Sequence, residues 1–244
     1  MIATRRTEPR LRAILCDADG CLFPSEGPAY DASVDVVNAL LDELGVHRRY
    51  TAHELRSDYT GRNFRATVPR LCAENGVDLT SETLERWTAI EADEVTSHLA
   101  SVLPEDPEVS AAVQLLAAAF PFAVVSSSAS KRVDACLSAT GLSQFVQDGR
   151  LFSAEDSLPR PISKPDPAIY QLAGNAMGVT GSQALAIEDS EVGVRAAVAA
   201  GFPVVGLLHF APADEADQLA ARLREAGATR IATTWADLLA QLTG

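Results

Sequence analysis

Residues 14–23 read I-L-C-D-A-D-G-C-L-F, an apolar run that stops at two aspartates and a glycine. The apolar run bounded by Gly20 predicts a buried β-strand. Side chains two residues apart on a strand point the same way, so Asp17 and Asp19 can both lie over its C-terminal end. Carboxylates this close repel each other unless a metal cation or a shared proton lies between them. Taken alone, the stretch is equally compatible with a strand followed by a simple Asp-Gly turn.

The composition is typical of a globular protein with a sizeable core. Of the 244 residues, 47% are hydrophobic and 22% are charged, and this length allows one large domain or two modest ones. The four cysteines form no C-x-x-C pair, so the sequence predicts neither a zinc site nor a disulfide framework.

The charge and hydropathy of the chain argue against two classes of partner. A formal net charge of −13 does not suit nucleic acid or an anionic membrane, because binding to either uses clustered cations. No apolar run in the sequence is long enough to span a membrane, and the polar, Arg-rich residues 1–10 do not resemble a signal peptide. We therefore expect a cytoplasmic protein that binds neither nucleic acid nor membrane. The sequence does not indicate an oligomeric state.

A change in the pattern of predicted elements divides the chain. In residues 27–102 the sequence predicts helices and no strand, including helices over about residues 31–44 and 64–74, whereas strands and helices alternate regularly on both sides. In the alternating part we predict a strand over residues 122–125, a weak strand over residues 145–152, and a helix over residues 167–177 with Asp166 as its N-cap. This pattern favours a small helical domain inserted into an α/β domain. We therefore predict a doubly wound, Rossmann-like parallel sheet built from residues 1–26 and 103–244, with an α-helical domain over residues 27–102.

Polar side chains lie where three of the predicted strands end. They are Asp17 and Asp19 on the first strand, Ser126 on the second, and Glu188 with Asp189 on a third. The carboxyl ends of parallel strands meet at one edge of the sheet, which is where ligands bind. Lys164 lies just before a predicted helix, in S-K-P-D-P. Carboxylates, a hydroxyl and an ammonium together suit a hard divalent cation and a phosphate group.

Lysine is rare in this chain. Of the 20 basic residues, Lys131 and Lys164 are lysines and the others are arginines. An ammonium differs from a guanidinium in shape, hydration and pKa, so a lysine kept in an arginine-rich chain can mark a place that needs a compact cation. Lys164 fits that interpretation when it is considered together with the strand ends, although taken alone it suits a solvated lysine before a helix. Lys131 fits surface charge in the first turn of a helix.

Four motifs, in this order and spacing, resemble those of the haloacid dehalogenase superfamily. They are D-A-D-G-C-L-F from Asp17, A-V-V-S up to Ser126, K-P-D-P-A-I-Y from Lys164, and I-E-D-S-E-V-G up to Gly193. The resemblance spans about residues 13–206. The last two motifs are similar to the subgroup whose helical cap domain is inserted after the first motif, which includes β-phosphoglucomutases and phosphoglycolate phosphatases. Residues 27–102 would be that cap.

The resemblance implies a role for each motif residue. Asp17 would be the nucleophile that forms an aspartyl-phosphate, and Asp19 would be the general acid and then the general base. Ser126 would hydrogen-bond a phosphoryl oxygen. Lys164 would neutralise charge on the nucleophile and the phosphate.

The resemblance also implies Mg²⁺ as the cofactor. Its ligands would be the carboxylates of Asp17 and Asp189 and the main-chain carbonyl of Asp19, with Glu188 bound directly or through water. A small phosphorylated metabolite would be the partner.

The implied activity is Mg²⁺-dependent hydrolysis of a small phosphate ester that resembles a sugar phosphate or polyol phosphate. Asp19 argues against a dehalogenase, which lacks this acid, and the absence of lysine from residues 1–130 excludes a phosphonatase. β-Phosphoglucomutases share the S-x-S-K pattern of residues 128–131, but they carry a histidine where this chain has Ala29. A phosphomutase and a non-catalytic, phospho-accepting signalling or binding module stay open as alternatives.

The substrate-binding residues are predicted from loops. The segment Y-T-G-R-N-F-R, residues 59–65, is a glycine-marked loop before a helix, where Arg62 and Arg65 can reach an anionic or polyhydroxyl substrate. Both arginines suit an exposed helix start equally well. We add Gly20, which lies within the first motif, and Ser127, which follows the second.

Overall fold

The computed structural model describes residues 11–59 and 64–243. The strands are β1 (Ala13–Cys16), β2 (Phe122–Ser126), β3 (Leu151–Ser153), β4 (Ala184–Glu188), β5 (Val204–Leu207) and β6 (Arg230–Ala232). The helices are α1 (Glu26–Glu43), α2 (Ala52–Tyr59), α3 (Phe64–Glu74), α4 (Ser81–Val102), α5 (Pro107–Ala119), α6 (Ser130–Ala139), α7 (Ala168–Met177), α8 (Glu191–Ala199), α9 (Ala216–Ala226) and α10 (Trp235–Thr243). In the described part of the chain, no helix combines the length and the apolar character needed to cross a bilayer.

The chain forms two compact units. One consists of Met1–Pro24 together with Pro104–Gly244, and the other is Ser25–Leu103. The first contains every strand listed above and is called the α/β unit below. The second contains α1 to α4 and is called the helical unit.

A six-stranded parallel sheet forms the centre of the α/β unit. Its strand order is β3-β2-β1-β4-β5-β6, and every described pairing is parallel. The order runs outward in both directions from β1, so the sheet has a topological switch point between β1 and β4. This arrangement confirms the predicted doubly wound α/β fold.

The central strands are buried along their whole length. All four residues of β1 and all five of β4 are buried, as expected for strands covered by helices on both faces. Ile14 of β1 pairs with Phe122 of β2 and with Leu185 of β4. This register places the residues that follow β1 beside the ends of β2 and β4.

Side chains stabilise the starts of two helices near the carboxyl edge of the sheet, α8 and α7. Ser190 is the N-cap of α8, and its hydroxyl accepts a hydrogen bond of 3.1 Å from the N–H of Gly193. At α7, Asp166 was predicted as the N-cap, but Pro167 occupies that position. The Asp166 carboxylate still accepts a 2.9 Å bond from the N–H of Ala168, so the aspartate stabilises the helix start from one residue further out.

The helical unit has an apolar core of its own. Its largest buried side chains include Leu40 and Leu41 of α1, Leu71 of α3 and Trp87 of α4. Asn38 ties α1 to the following loop by exchanging hydrogen bonds of 2.9 Å with the main chain of Tyr50.

Candidate active site

Asp17 follows β1 directly at the carboxyl edge of the sheet. Its N–H donates a 2.9 Å hydrogen bond to the carbonyl of Ile187, so the pairing of β1 with β4 continues through this residue. The side chain is 9% exposed. Ser126 and Glu188 are the last residues of the two neighbouring strands, and the predicted strand ends therefore meet at one edge.

Lys164 joins these strand ends. Its ammonium donates to Asp17 Oδ1, to Glu188 Oε1 at 2.7 Å and to the carbonyl oxygen of Val125 at 2.8 Å. These three bonds use all the donors of an ammonium. Burial lowers the pKa of Lys164, but the negative charges of Asp17 and Glu188 outweigh burial and raise it above its ordinary value. The lysine is therefore a fixed, permanently charged group.

Glu188 is fully buried and faces three donors. Besides Lys164, Tyr170 donates its hydroxyl to Oε1 at 2.6 Å, and Ser190 donates to Oε2 at 3.3 Å. A Cβ on Gly193 would lie 1.9 Å from Oε2, so the first turn of α8 leaves room for this carboxylate only because residue 193 is glycine. The metal role of Glu188 stays a prediction, and its contacts indicate that it also anchors Lys164.

Asp19 faces the loop between β2 and α6. Its Oδ2 accepts a 2.7 Å hydrogen bond from the hydroxyl of Ser128, and its Oδ1 lies 3.4 Å from a guanidinium nitrogen of Arg132. The Asp19 side chain is 30% exposed, so it lies closer to solvent than Asp17 does.

The serines after β2 have different surroundings. Ser126 is fully buried, and its Oγ accepts a 3.0 Å bond from the N–H of Ser128. The hydroxyl of Ser128 instead reaches Asp19, whereas Ser127 lies half-buried between them. The roles of Ser126 and Ser127 stay predictions. Ser128 was not predicted, although its place in the run S-S-S-A-S-K was the available signal.

Two carboxylates form the part of the site that fits a metal ion. Within residues 11–59 and 64–243, one group of His, Cys, Asp or Glu side chains could surround an ion. It consists of Asp17, Cys21 and Asp189, whose ligand atoms lie within 4.8 Å of one another. Burial raises the pKa of Asp17 to about 8. The positive charge of Lys164 opposes this rise, and the negative charges of Glu188 and Asp19 add to it. Burial also raises the pKa of Asp189 well above its ordinary value, and Asp17 adds to this. A cation between the two carboxylates would relieve this repulsion.

The third member of that group is not a ligand for a hard cation. Burial raises the pKa of the Cys21 thiol well above its ordinary value, so the sulfur stays protonated, 4.0 Å from Asp189 Oδ1. Mg²⁺ prefers oxygen ligands. The donors of this group that fit Mg²⁺ are therefore the carboxylates of Asp17 and Asp189, and their role as metal ligands stays a prediction.

Gly20 has a structural reason to be glycine. Its φ is +78°, and a Cβ would lie 2.0 Å from Asp189 Oδ2. Residue 20 must therefore lack a side chain for Asp189 to lie close to the β1 loop. Its predicted contact with substrate stays a prediction.

Of the two predicted cap arginines, Arg65 lies in the helical unit. Arg62 lies outside the described residues. Arg65, in the first turn of α3, donates to both carboxylate oxygens of Glu85 on α4, one of them at 2.8 Å. Both partners are exposed. The substrate contact predicted for each arginine stays a prediction.

Known proteins resemble this chain in sequence and in fold. A CBBY-like protein from Arabidopsis thaliana is 37% identical over 115 residues, which are 47% of this chain and 35% of that relative. The matched segment therefore spans about a third of the relative's length.

Two solved structures match nearly the whole chain. A variant of CbbY from Rhodobacter sphaeroides in complex with xylulose-(1,5)bisphosphate is 23% identical and covers 93% of this chain and 96% of its own, with a TM-score of 0.72. A protein described as a predicted phosphoglycolate phosphatase from Haemophilus somnus is 21% identical, covers 96% of this chain and 98% of its own, and has a TM-score of 0.75. At these identities the likeness shows a shared fold.

The family assignment rests on a match over most of the sequence. The family model of haloacid dehalogenase-like hydrolases matches residues 11–201. This range contains the whole cluster around Lys164, from Asp17 to Asp189, and it confirms the family predicted from the four motifs. The chain belongs to the haloacid dehalogenase-like hydrolases.

Proposed function

We propose that this protein is a Mg²⁺-dependent phosphatase that hydrolyses a small phosphate ester through an aspartyl-phosphate on Asp17. The observation that carries the proposal is the ammonium of Lys164, which is buried between Asp17 and Glu188 at the carboxyl edge of the sheet. A fixed positive charge beside a carboxylate stabilises the negative charge that develops when that carboxylate attacks phosphorus. A phosphoryl group transferred to Asp17 would be stabilised by this positive charge.

The first chemical step forms the covalent intermediate. Lys164 binds Oδ1 of Asp17, and we assign the attack on phosphorus to Oδ2. As the Oδ2–P bond forms, the bond between phosphorus and the ester oxygen breaks, and Asp19 gives its proton to the leaving alkoxide. The hydroxyl of Ser128, now 2.7 Å from Asp19, can turn to donate to a phosphoryl oxygen, a role that we propose for it alongside Ser126.

The second step regenerates the enzyme. Asp19, now deprotonated, takes a proton from a water molecule whose oxygen attacks phosphorus. The bond between phosphorus and Asp17 breaks, and inorganic phosphate leaves. Arg132 lies at the opposite oxygen of Asp19 from Ser128, so it can hold this carboxylate in one orientation between the steps while the Ser128 hydroxyl donates to the phosphoryl group.

The proposed metal ligands are the carboxylates of Asp17 and Asp189, with the main-chain carbonyl of Asp19 and a direct or water-mediated contact to Glu188. Bound Mg²⁺ supplies positive charge that offsets the carboxylates and polarises a phosphoryl oxygen. Gly20, Ser127, Arg62 and Arg65 remain the proposed contacts to the substrate. The sugar bisphosphate held by the related CbbY fold supports a sugar phosphate or polyol phosphate as the substrate class.

Hydrolysis of p-nitrophenyl phosphate tests the proposal. We expect turnover with Mg²⁺, loss of turnover with excess chelator, and no turnover by Asp17→Asn in either condition. A panel of sugar and polyol phosphates would then identify the substrate class. Full activity in chelator, or a folded Asp17→Asn variant that hydrolyses the ester at the wild-type rate, would contradict the proposal.

A further inference from the structure

Tyr170 is a fully buried side chain inside the charged cluster, and the mechanism above gives it no role. It lies in the first turn of α7, six residues after Lys164. Its hydroxyl donates to Glu188 Oε1 at 2.6 Å, and the centroid of its ring lies 5.2 Å from Lys164 Nζ. Tyr170 therefore contacts both members of the ion pair between Lys164 and Glu188.

One oxygen of Glu188 receives both donors. The bond from Lys164 Nζ to Oε1 is 2.7 Å and the bond from the Tyr170 hydroxyl is 2.6 Å. A phenol is protonated at neutral pH and can donate its O–H, and the 2.6 Å bond directs that donor at Oε1. Tyr170 therefore shares the neutralisation of Glu188 with the ammonium.

The position of the ammonium depends on two competing carboxylates. Lys164 donates to Asp17 and to Glu188 at the same time. A second donor on Glu188 weakens the attraction of this carboxylate for Lys164, and the face of the Tyr170 ring attracts the ammonium in its observed place. Both effects favour the contact between Lys164 and Asp17.

We propose that Tyr170 is a positioning residue that acts through Glu188 to hold the ammonium of Lys164 against the nucleophile Asp17. The consequence for catalysis rests on the proposed function, whereas the consequence for the position of Lys164 does not. Two experiments therefore test the two consequences separately.

The first experiment is a double-mutant cycle in the rate of p-nitrophenyl phosphate hydrolysis. We expect Tyr170→Phe to lower kcat by about tenfold or more with KM within about twofold, because the variant changes charge placement rather than substrate contact. In the Glu188→Gln background the same change should alter kcat by less than about twofold, because the carboxylate through which Tyr170 acts on Lys164 is absent. Tyr50→Phe is the matched control, because it also removes a buried tyrosine hydroxyl, one bonded to Asn75 at 2.9 Å in the helical unit. An unchanged kcat in Tyr170→Phe, or an equal loss in both backgrounds, would overturn the proposal.

The second experiment observes the lysine itself and needs no activity. Because the chain has two lysines, protein labelled with ¹⁵N at lysine Nζ gives two ammonium sites, and Lys164→Arg identifies the buried one. We expect Tyr170→Phe to shift the Lys164 signal or to speed its exchange with water, while the exposed Lys131 reports an intact fold. The Tyr50→Phe control should leave both signals in place.

The outcomes separate the two proposals. A Lys164 signal that is unmoved in folded Tyr170→Phe overturns the positioning role, whatever the activity. A wild-type protein that hydrolyses no phosphate ester overturns the proposed function, and the Lys164 signal then decides the role of Tyr170 alone.

Discussion

The two lysines offer a direct comparison at the scale of the residue. Lys164 is buried with three fixed partners, whereas Lys131 is exposed at the start of α6. We expect Lys164→Arg to lower kcat by about a hundredfold or more, because a planar guanidinium does not fit a site built for a compact ammonium. Lys131→Arg is the matched control and should keep the wild-type kcat. Equal kinetics in the two variants would contradict a catalytic role for the Lys164 ammonium.

The serines after β2 give a second test. We expect Ser128→Ala to lower kcat/KM by about tenfold or more, because its hydroxyl lies at Asp19 and can reach a phosphoryl oxygen. Ser126→Ala should cost about 1 kcal/mol of stability, since it leaves the N–H of Ser128 without its acceptor. Kinetics and urea unfolding of both variants check this. A larger catalytic loss in Ser126→Ala would instead support the role predicted for Ser126 from the sequence.

The buried carboxylates predict how stability depends on pH. The pKa of Asp17 is raised to about 8 from a usual value of 3.8, so between these values the folded protein binds a proton that the unfolded chain does not. The contribution of Asp17 to the stability of the metal-free protein therefore falls as pH rises through this window. In chelator, we expect the wild-type Tm to decrease from about pH 5 to about pH 8 and Asp17→Asn to decrease less.

The same Tm measurements are repeated with Mg²⁺ and with a control variant. Mg²⁺ binds deprotonated carboxylates, so it should restore more stability at about pH 8 than at about pH 5. Asp148→Asn changes an exposed aspartate and should keep the wild-type slope. A Tm that rises with pH in chelator would contradict the assignment of buried, repelling carboxylates.

The junction of β4 and α8 is the element on which the cluster depends. A Cβ at residue 193 would overlap both carboxylate oxygens of Glu188, at 1.9 and 2.3 Å. We expect Gly193→Ala to displace Glu188, to destabilise the protein by about 2 kcal/mol and to lower kcat at least as much as Tyr170→Phe. Gly27→Ala, in the first turn of α1 where a Cβ meets nothing within 4 Å, is the control. Wild-type kcat in Gly193→Ala would show that the position of Glu188 is unimportant.

Strongly patterned elements could be predicted from the sequence to within a residue or two. β2 was predicted over residues 122–125 and extends to Ser126, and α3 has the predicted bounds. Apolar runs and periodic stripes determine such elements locally. α1 instead begins at Glu26 rather than near Asp31, because Gly27 and Pro28 are typical of turns but are also tolerated in the first turn of a helix.

The edge of the sheet was harder to predict. A weak strand was predicted over residues 145–152, whereas β3 covers Leu151–Ser153 and follows a 3₁₀ helix at Ser143–Phe145. Among the described residues β3 lies at the edge of the sheet and pairs with β2, so its position depends on a partner that is distant in sequence. Local pattern carries little information about such a strand.

In the site too, the elements could be predicted from local pattern, whereas contacts between distant parts of the chain could not. The elements that carry Asp17, Lys164 and Glu188 could be predicted, because motifs at strand ends and before a helix indicate where they lie. Tyr170 and Arg132 were missed, since each joins the cluster through side-chain contacts between elements that the sequence does not specify. The role of Tyr170 depends on a 2.6 Å contact across 18 residues of sequence.

At the scale of the whole molecule, the C-terminal helix supports the loop that follows β1. Trp235, the first residue of α10, is fully buried, and its indole N–H donates a 3.0 Å bond to the carbonyl of Cys21. Residues beyond the family match at 11–201 therefore help to hold the segment that carries Asp17 and Asp19. The α/β unit forms its charged cluster from four distant parts of the chain, whereas the role of the helical unit as a cap stays a prediction.

Trapping the covalent intermediate tests the central claim most directly. An aryl phosphate needs no acid to lose its leaving group, so Asp19→Asn should still be phosphorylated by p-nitrophenyl phosphate but should not activate water in the second step. With Mg²⁺, we expect a burst of about one equivalent of p-nitrophenol per protein, and borohydride reduction after quenching should convert residue 17 to homoserine, as detected by mass spectrometry. Linear release of p-nitrophenol without a burst, or a reduced residue at any position other than 17, would contradict the account.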